Sequence, residues 1–158
     1  MDVLRLAEQV DAALSGPAWH GASLEENLKG LTAEQAAARP VAEAHSIWEL
    51  VLHIANWNEI VSRRLAGEKV EGKLDTEYDW PKGAGGEERA WKDAVERLKR
   101  SYDTLHKAIA AASDETLEEP AVSRKHSNYV LAHGIIHHIV YHSGQIGLLR
   151  KALAQTQA

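Results

Sequence analysis

An all-α fold is the class this sequence predicts, and three observations predict it. Long stretches carry apolar residues three and four positions apart, side chains able to cap helices stand where those stretches begin, and no alternating apolar–polar run of useful length offers a strand. The 158 residues are enough to bury one hydrophobic core, and without an internal repeat or a low-complexity linker they read as one domain, residues 1–158.

The first helix is expected over about Asp2 to Ser15, stopped at Gly16-Pro17. Ser23, with Glu26 three residues on, has the spacing of a capping box and starts a short helix that Gly30-Leu31-Thr32 closes. Thr32 caps another turn before Arg39-Pro40 breaks the pattern. Ser46 and Glu49 repeat the capping-box spacing at the head of a second long helix, which runs to about Ala66 and stops at Gly67. A long connection from Gly67 to Gly86 holds Asp79-Trp80-Pro81, and a third long helix spans roughly Glu87 to Ala112. After a further connection through Pro120 to His126, Ser127 or Asn128 opens the last helix, reaching about Leu153. Connections this long release neighbouring helices from a strict up-down-up-down order.

Composition narrows the function classes. Apolar residues make up 44% and charged residues 26%, as in ordinary soluble domains. The net charge of −5 comes with no dense basic run: Arg97, Lys99 and Arg100 sit among Asp93, Glu96 and Asp103, the pattern of a solvated helix face rather than a phosphate track. No nucleic-acid partner is expected. The absence of cysteine removes disulfides, thiolate ligands and a cysteine nucleophile together. Neither a leader-like N-terminal stretch nor an apolar run of the ~20 residues needed to cross a bilayer is visible, so the expected location is cytoplasmic and no membrane partner is expected.

Nine histidines are many for this length, and His126, His133, His137, His138 and His142 are close together. With each residue turning about 100° around the last helix, Leu131, Ile139, Ile146, Leu149 and Leu153 fall within about 40° of Ile135. His142 lies about 20° from the centre of this stripe and His138 about 60°. These two rings point inward one turn apart, the spacing that lets two imidazoles share a metal ion. His133 and His137 have the same spacing but lie on the far side, as surface or interface residues. On the second long helix Ile47, Leu50, Ile54, Trp57, Val61 and Leu65 form the stripe, with His53 on its shoulder. A third imidazole from this facing helix completes a three-nitrogen set with an open position. The alternative is that these histidines are hydrogen-bonded core residues that bind nothing.

The segment Gly134-Ile-Ile-His-His138-Ile-Val-Tyr-His142-Ser-Gly-Gln145 resembles the last helix of the DinB superfamily, whose hallmark is H-x-x-x-H-x-G-Q. Ser46-Ile-Trp-Glu-Leu-Val-Leu-His53-Ile-Ala-Asn-Trp57 is similar to its second helix, and Gly16-Pro-Ala-Trp19-His-Gly21 and Gly30-Leu-Thr-Ala-Glu-Gln-Ala-Ala-Ala-Arg39-Pro40 also resemble this group. The resemblance implies a four-helix bundle of up-down-down-up connectivity with long crossovers, a homodimer, and one divalent metal ion, zinc or nickel, on His53, His138 and His142. It implies several chemistries: S-transfer using low-molecular-weight thiols such as bacillithiol or mycothiol, thiol-dependent maleylpyruvate isomerisation, or metal-dependent hydrolysis. The pocket, not the fold, chooses among them.

Gly144 is expected to admit a close helix contact, and Gln145, on the same side of the helix as His138, to orient a ligand or hold water. Trp48, Trp57 and Trp80 are candidates to wall a pocket; Trp57 fits core packing, and Trp80 beside Pro81 is the better lid. Tyr141 projects away from the stripe, His45 and His126 stand near helix starts as exposed or capping residues, and His20 and His106 have no evident partner. Asp103-Thr-Leu-His106 matches part of a di-iron pattern, but Glu-x-x-His is missing, and so is the H-E-x-x-H of zinc proteases. No carboxylate is evident as a general base. Two readings follow: a metal-dependent transferase or hydrolase acting on a small-molecule substrate, any thiol being an external cosubstrate, or a non-catalytic dimeric metal-binding or stress-associated module. The first predicts an apolar and aromatic pocket over the histidines, the second a closed centre.

Overall fold

A computed structural model describes residues 2–72, 74–83, 86–122 and 125–156. These residues form seven helices and no strand, as the apolar spacing predicts. Four helices are long: α1 (Asp2–Ser15), α4 (Ile47–Leu65), α5 (Glu88–Ala110) and α7 (Asn128–Thr156). Short helices α2 (Leu24–Leu28) and α3 (Ala33–Ala37) lie between the first two long ones, and α6 (Asp114–Glu118) precedes the last.

The starts follow the side-chain chemistry. Ser23, Thr32 and Ser46 each accept a hydrogen bond from the backbone three residues on, and the side chains of Glu26, Gln35 and Glu49 accept one from the cap backbone N–H in turn. A cap of this kind contributes about 1 kcal/mol. At Ser46 the box is braced from outside, because one guanidinium nitrogen of Arg39 lies 2.6 Å from both oxygens of the buried Glu49 carboxylate. That carboxylate therefore fixes the head of α4 twice, through its own backbone and through the preceding loop.

Two boundaries differ from the sequence reading. Ser113 caps α6 inside what reads as connection, because a single helical turn is too short to show an apolar stripe. The last helix continues to Thr156, past the final core leucine, Leu153.

The long helices close a ring of contacts: α1 packs on α5 and α7, and α4 packs on the same two. One apolar cluster fills the interior, with Val10, Leu24, Ala33, Ile54, Leu105, Leu117 and Ile139 drawn from the seven helices in turn. Buried Asn58 of α4 donates to Ser101 Oγ of α5 at 3.1 Å, and Arg97 of α5 crosses to Glu59 of α4 at 2.8 Å. Lys99 lies 3.9 Å from both Glu25 and Glu96, so this basic group is neutralised within the fold. Trp48 is wholly inside, against Trp91, and a side chain at Gly83 would come within 2.7 Å of its ring. It therefore belongs to the core and not to a pocket wall. Among the described residues no helix is long and apolar enough to cross a membrane.

Candidate metal centre

Helices α4 and α7 face each other across the core, and their histidines meet there. His138 Nε2 lies 2.9 Å from His53 Nε2 and 3.1 Å from His142 Nε2, and one nitrogen from each ring falls within 4.8 Å of the others. His53 and His142 are buried and His138 is half-buried. Among the described residues this group of three histidines is the one whose geometry could hold a metal ion. His137 is exposed; His133 stacks its edge on Tyr129 instead, with 4.5 Å between ring centroids.

The proton positions follow from the outer partners. His53 Nδ1 faces the Asp79 backbone carbonyl at 2.7 Å and an Asp79 carboxylate oxygen at 3.2 Å. Both are acceptors, so this nitrogen carries the proton and Nε2 is bare. His142 Nδ1 likewise donates to Gln145 Oε1 at 2.6 Å, leaving its Nε2 bare. His138 Nε2 faces both bare nitrogens and has at most one proton to give, while its Nδ1 is buried with no hydrogen-bond partner. Additional protons are resisted: burial lowers His138 to about 3, with His142 and His53 adding repulsion, and burial lowers His142 to about 4. His53 is also lowered, again chiefly by burial. Three neutral imidazoles thus bring the bare Nε2 of His53 and of His142 and the His138 Nε2 together at one point that lacks positive charge. A divalent cation fits this donor set.

The same burial gives a prediction. The folded pKa values lie below the ordinary value of about 6.5, so as pH falls the unfolded chain takes up protons before the folded one. In chelator, stability should therefore be greatest above about pH 6.5 and decline toward about pH 4. Urea unfolding across this range should show a shallower decline in His138→Leu than in the wild type; identical slopes would contradict a buried neutral cluster.

A cavity of about 670 Å³ opens beside the three rings, lined by Trp57, Val61, Leu74, Trp80, Val130, Leu131, Ile135 and Tyr141 among others. Parts of the segment between α4 and α5 form one wall and are pinned at three points. Arg64 Nε donates to Val70 O at 3.0 Å, Asn56 Nδ2 to Tyr78 O at 2.5 Å, and Trp57 Nε1 to Asp79 Oδ1 at 2.8 Å. Gly72 lies so close to Trp57 that a Cβ would sit 2.7 Å from its ring, which leaves room only for glycine.

Several sequence expectations are sharpened here. Trp57 and Trp80 both line the cavity, and Trp80 is clasped between His45 and His53 at 3.5 Å and 3.7 Å, nearly parallel to each. His45 is therefore part of the wall's support rather than a cap. Gln145 holds His142, not His138, because on α7 its amide meets the ring one turn back. Tyr141 is exposed as expected, yet its ring borders the cavity mouth. His126 lines the cavity too, with Nδ1 3.2 Å from Ser127 O. Gly144 meets nothing where a side chain would stand; the close approach is at Gly147, whose Cβ would come 3.2 Å from Asn27 Oδ1. His20 is exposed, whereas His106 does have a partner, Asp11 at 2.8 Å.

Asp79 is the residue that the sequence reading missed. It is buried, and it receives bonds from His53, Trp57 and the Asp75 amide at once. The available signal was its position directly before Trp80, the lid candidate.

A family model described as the DinB superfamily matches residues 18–146. No curated protein and no solved structure matches the chain.

Proposed function

The chain belongs to the DinB superfamily, and from that membership and the converging imidazoles we propose that it holds one divalent metal ion, zinc or nickel, on His53, His138 and His142. We propose further that it acts on a small molecule as a metal-dependent enzyme of the thiol S-transferase or hydrolase type. The observation carrying this reading is the cavity: three imidazole nitrogens lie at the edge of an apolar and aromatic space of about 670 Å³ instead of in a closed core.

Bound there, such an ion would supply Lewis acidity that makes a thiol or water nucleophilic near neutral pH. The protein's own groups do the rest. Asp79 and Gln145 keep the Nδ1 protons of His53 and His142 outward, so both Nε2 lone pairs face the site. Trp57, Val61, Leu131 and Ile135 offer an apolar surface that holds the carbon skeleton of a substrate and excludes water. The chain has no cysteine, so a thiol must enter as a cosubstrate through the open side.

The test uses untagged protein loaded with zinc or nickel. It is mixed with low-molecular-weight thiols and an electrophile, and separately with simple esters and amides. Metal-dependent turnover of one of these, lost on chelation and in His142→Ala, is the expected result. Stoichiometric metal without turnover of any of them would support the non-catalytic module and reject the enzyme.

A further inference from the structure

Four polar contacts converge on one buried residue of the cavity wall. The Asp79 backbone carbonyl accepts His53 Nδ1–H at 2.7 Å, and its Oδ1 lies 3.2 Å from that nitrogen while accepting Trp57 Nε1–H at 2.8 Å. Its Oδ2 accepts the Asp75 amide at 3.0 Å. Next to it, Trp80 donates its amide to Thr76 O at 2.8 Å and lays its ring on His53. Asp75 itself has a φ of +56°, a left-handed backbone uncommon outside glycine, and its amide is fastened to Asp79 Oδ2. The wall segment and the His53 imidazole are therefore fastened to each other through a single side chain and its own peptide.

We propose that Asp79 is a positioning residue that joins the cavity wall to His53, so that loading the three-histidine centre and ordering residues 75–80 are one equilibrium. This rests on the metal-binding reading above and adds to it. With a cation on Nε2, the His53 ring loses electron density and its Nδ1–H becomes a stronger donor, which tightens both contacts to Asp79. The reverse holds by reciprocity: whatever fixes Asp79 also fixes the ring orientation the ion needs. Trp57 takes part from the other side, because its indole N–H holds the carboxylate that faces His53. Filling the centre thus steadies the cavity wall.

The experiment measures zinc affinity of the full untagged chain by competition with a chelator, and amide hydrogen exchange at Asp75 and Trp80 with and without zinc. In the wild type, zinc should slow exchange at both amides. Asp79→Asn keeps the backbone carbonyl and an oxygen for Trp57 but removes the charge, and should weaken zinc about tenfold, the lower end of losses seen when an outer partner of a ligating histidine is removed. It should also abolish the zinc response at Asp75. Trp57→Phe, which releases the carboxylate without deleting it, should fall between the two. Wild-type affinity in Asp79→Asn would overturn the inference. So would weaker zinc binding with an unchanged response at Asp75, because that is what a merely structural loss produces. Failure of the wild type itself to bind zinc would instead strike the metal-binding reading, and is told apart by needing no variant.

Discussion

His142→Ala is expected to lose its bound metal while keeping its helices. The substitution removes one of three nitrogens and leaves His53 and His138 with their own partners. Complete zinc sites contribute on the order of 10–16 kcal/mol, so one ligand of three is worth several kcal/mol and its loss should weaken binding by at least about a hundredfold. Elemental analysis of untagged protein should give one metal per chain in the wild type and close to none in the variant, with helical circular dichroism unchanged. His137→Ala supplies the control, since that exposed ring stands on the other side of α7 and its loss should leave the metal content intact. Equal metal in all three proteins would remove the proposed centre.

A second large effect should reverse sign with the metal. His138 keeps a buried Nδ1 with no partner, and its Nε2 faces two nitrogens that have no proton to offer. A buried polar group left unsatisfied costs about 1–3 kcal/mol. In chelator, His138→Leu should therefore be more stable than the wild type by roughly that amount, because an apolar side chain has no lone pair to leave stranded. With saturating zinc the order should invert, since the wild type gains the binding free energy and the variant has lost a ligand. Urea unfolding of both proteins in both conditions measures the four values. A variant less stable than the wild type even in chelator would mean that His138 is an ordinary packed or hydrogen-bonded residue.

The helices and the ligand candidates were legible in the sequence for the same reason. Helical periodicity is local, so the inward direction of His138 and His142 followed from Ile135, Ile139 and Ile146 on the same helix, and that of His53 from Ile54 and Trp57. Capping at Ser23, Thr32 and Ser46 was legible because each box spans only four residues. What could not be read is whatever depends on how distant segments meet. The connection between α4 and α5 has no period, so nothing indicated that Asp79 would come back to His53 or that Gly72 would press on Trp57. The same blindness placed the close helix approach at Gly144 when Asn27, far away in sequence, selects Gly147. Gln145 was seen as a support residue, but which ring it supports depended on rotamers that spacing alone does not specify. The helix α6 escaped because one turn carries a cap but no repeat.

The account comes down to one ion shared by two facing helices, and anomalous scattering at the zinc edge from crystals of the untagged, zinc-loaded protein tests it most directly. The account predicts a single strong peak about 2.0–2.1 Å from Nε2 of His53, His138 and His142, with a further coordination position turned toward the cavity. A peak bound by fewer than three of these imidazoles, or zinc only at histidines outside the cluster such as His133 and His137, would contradict it.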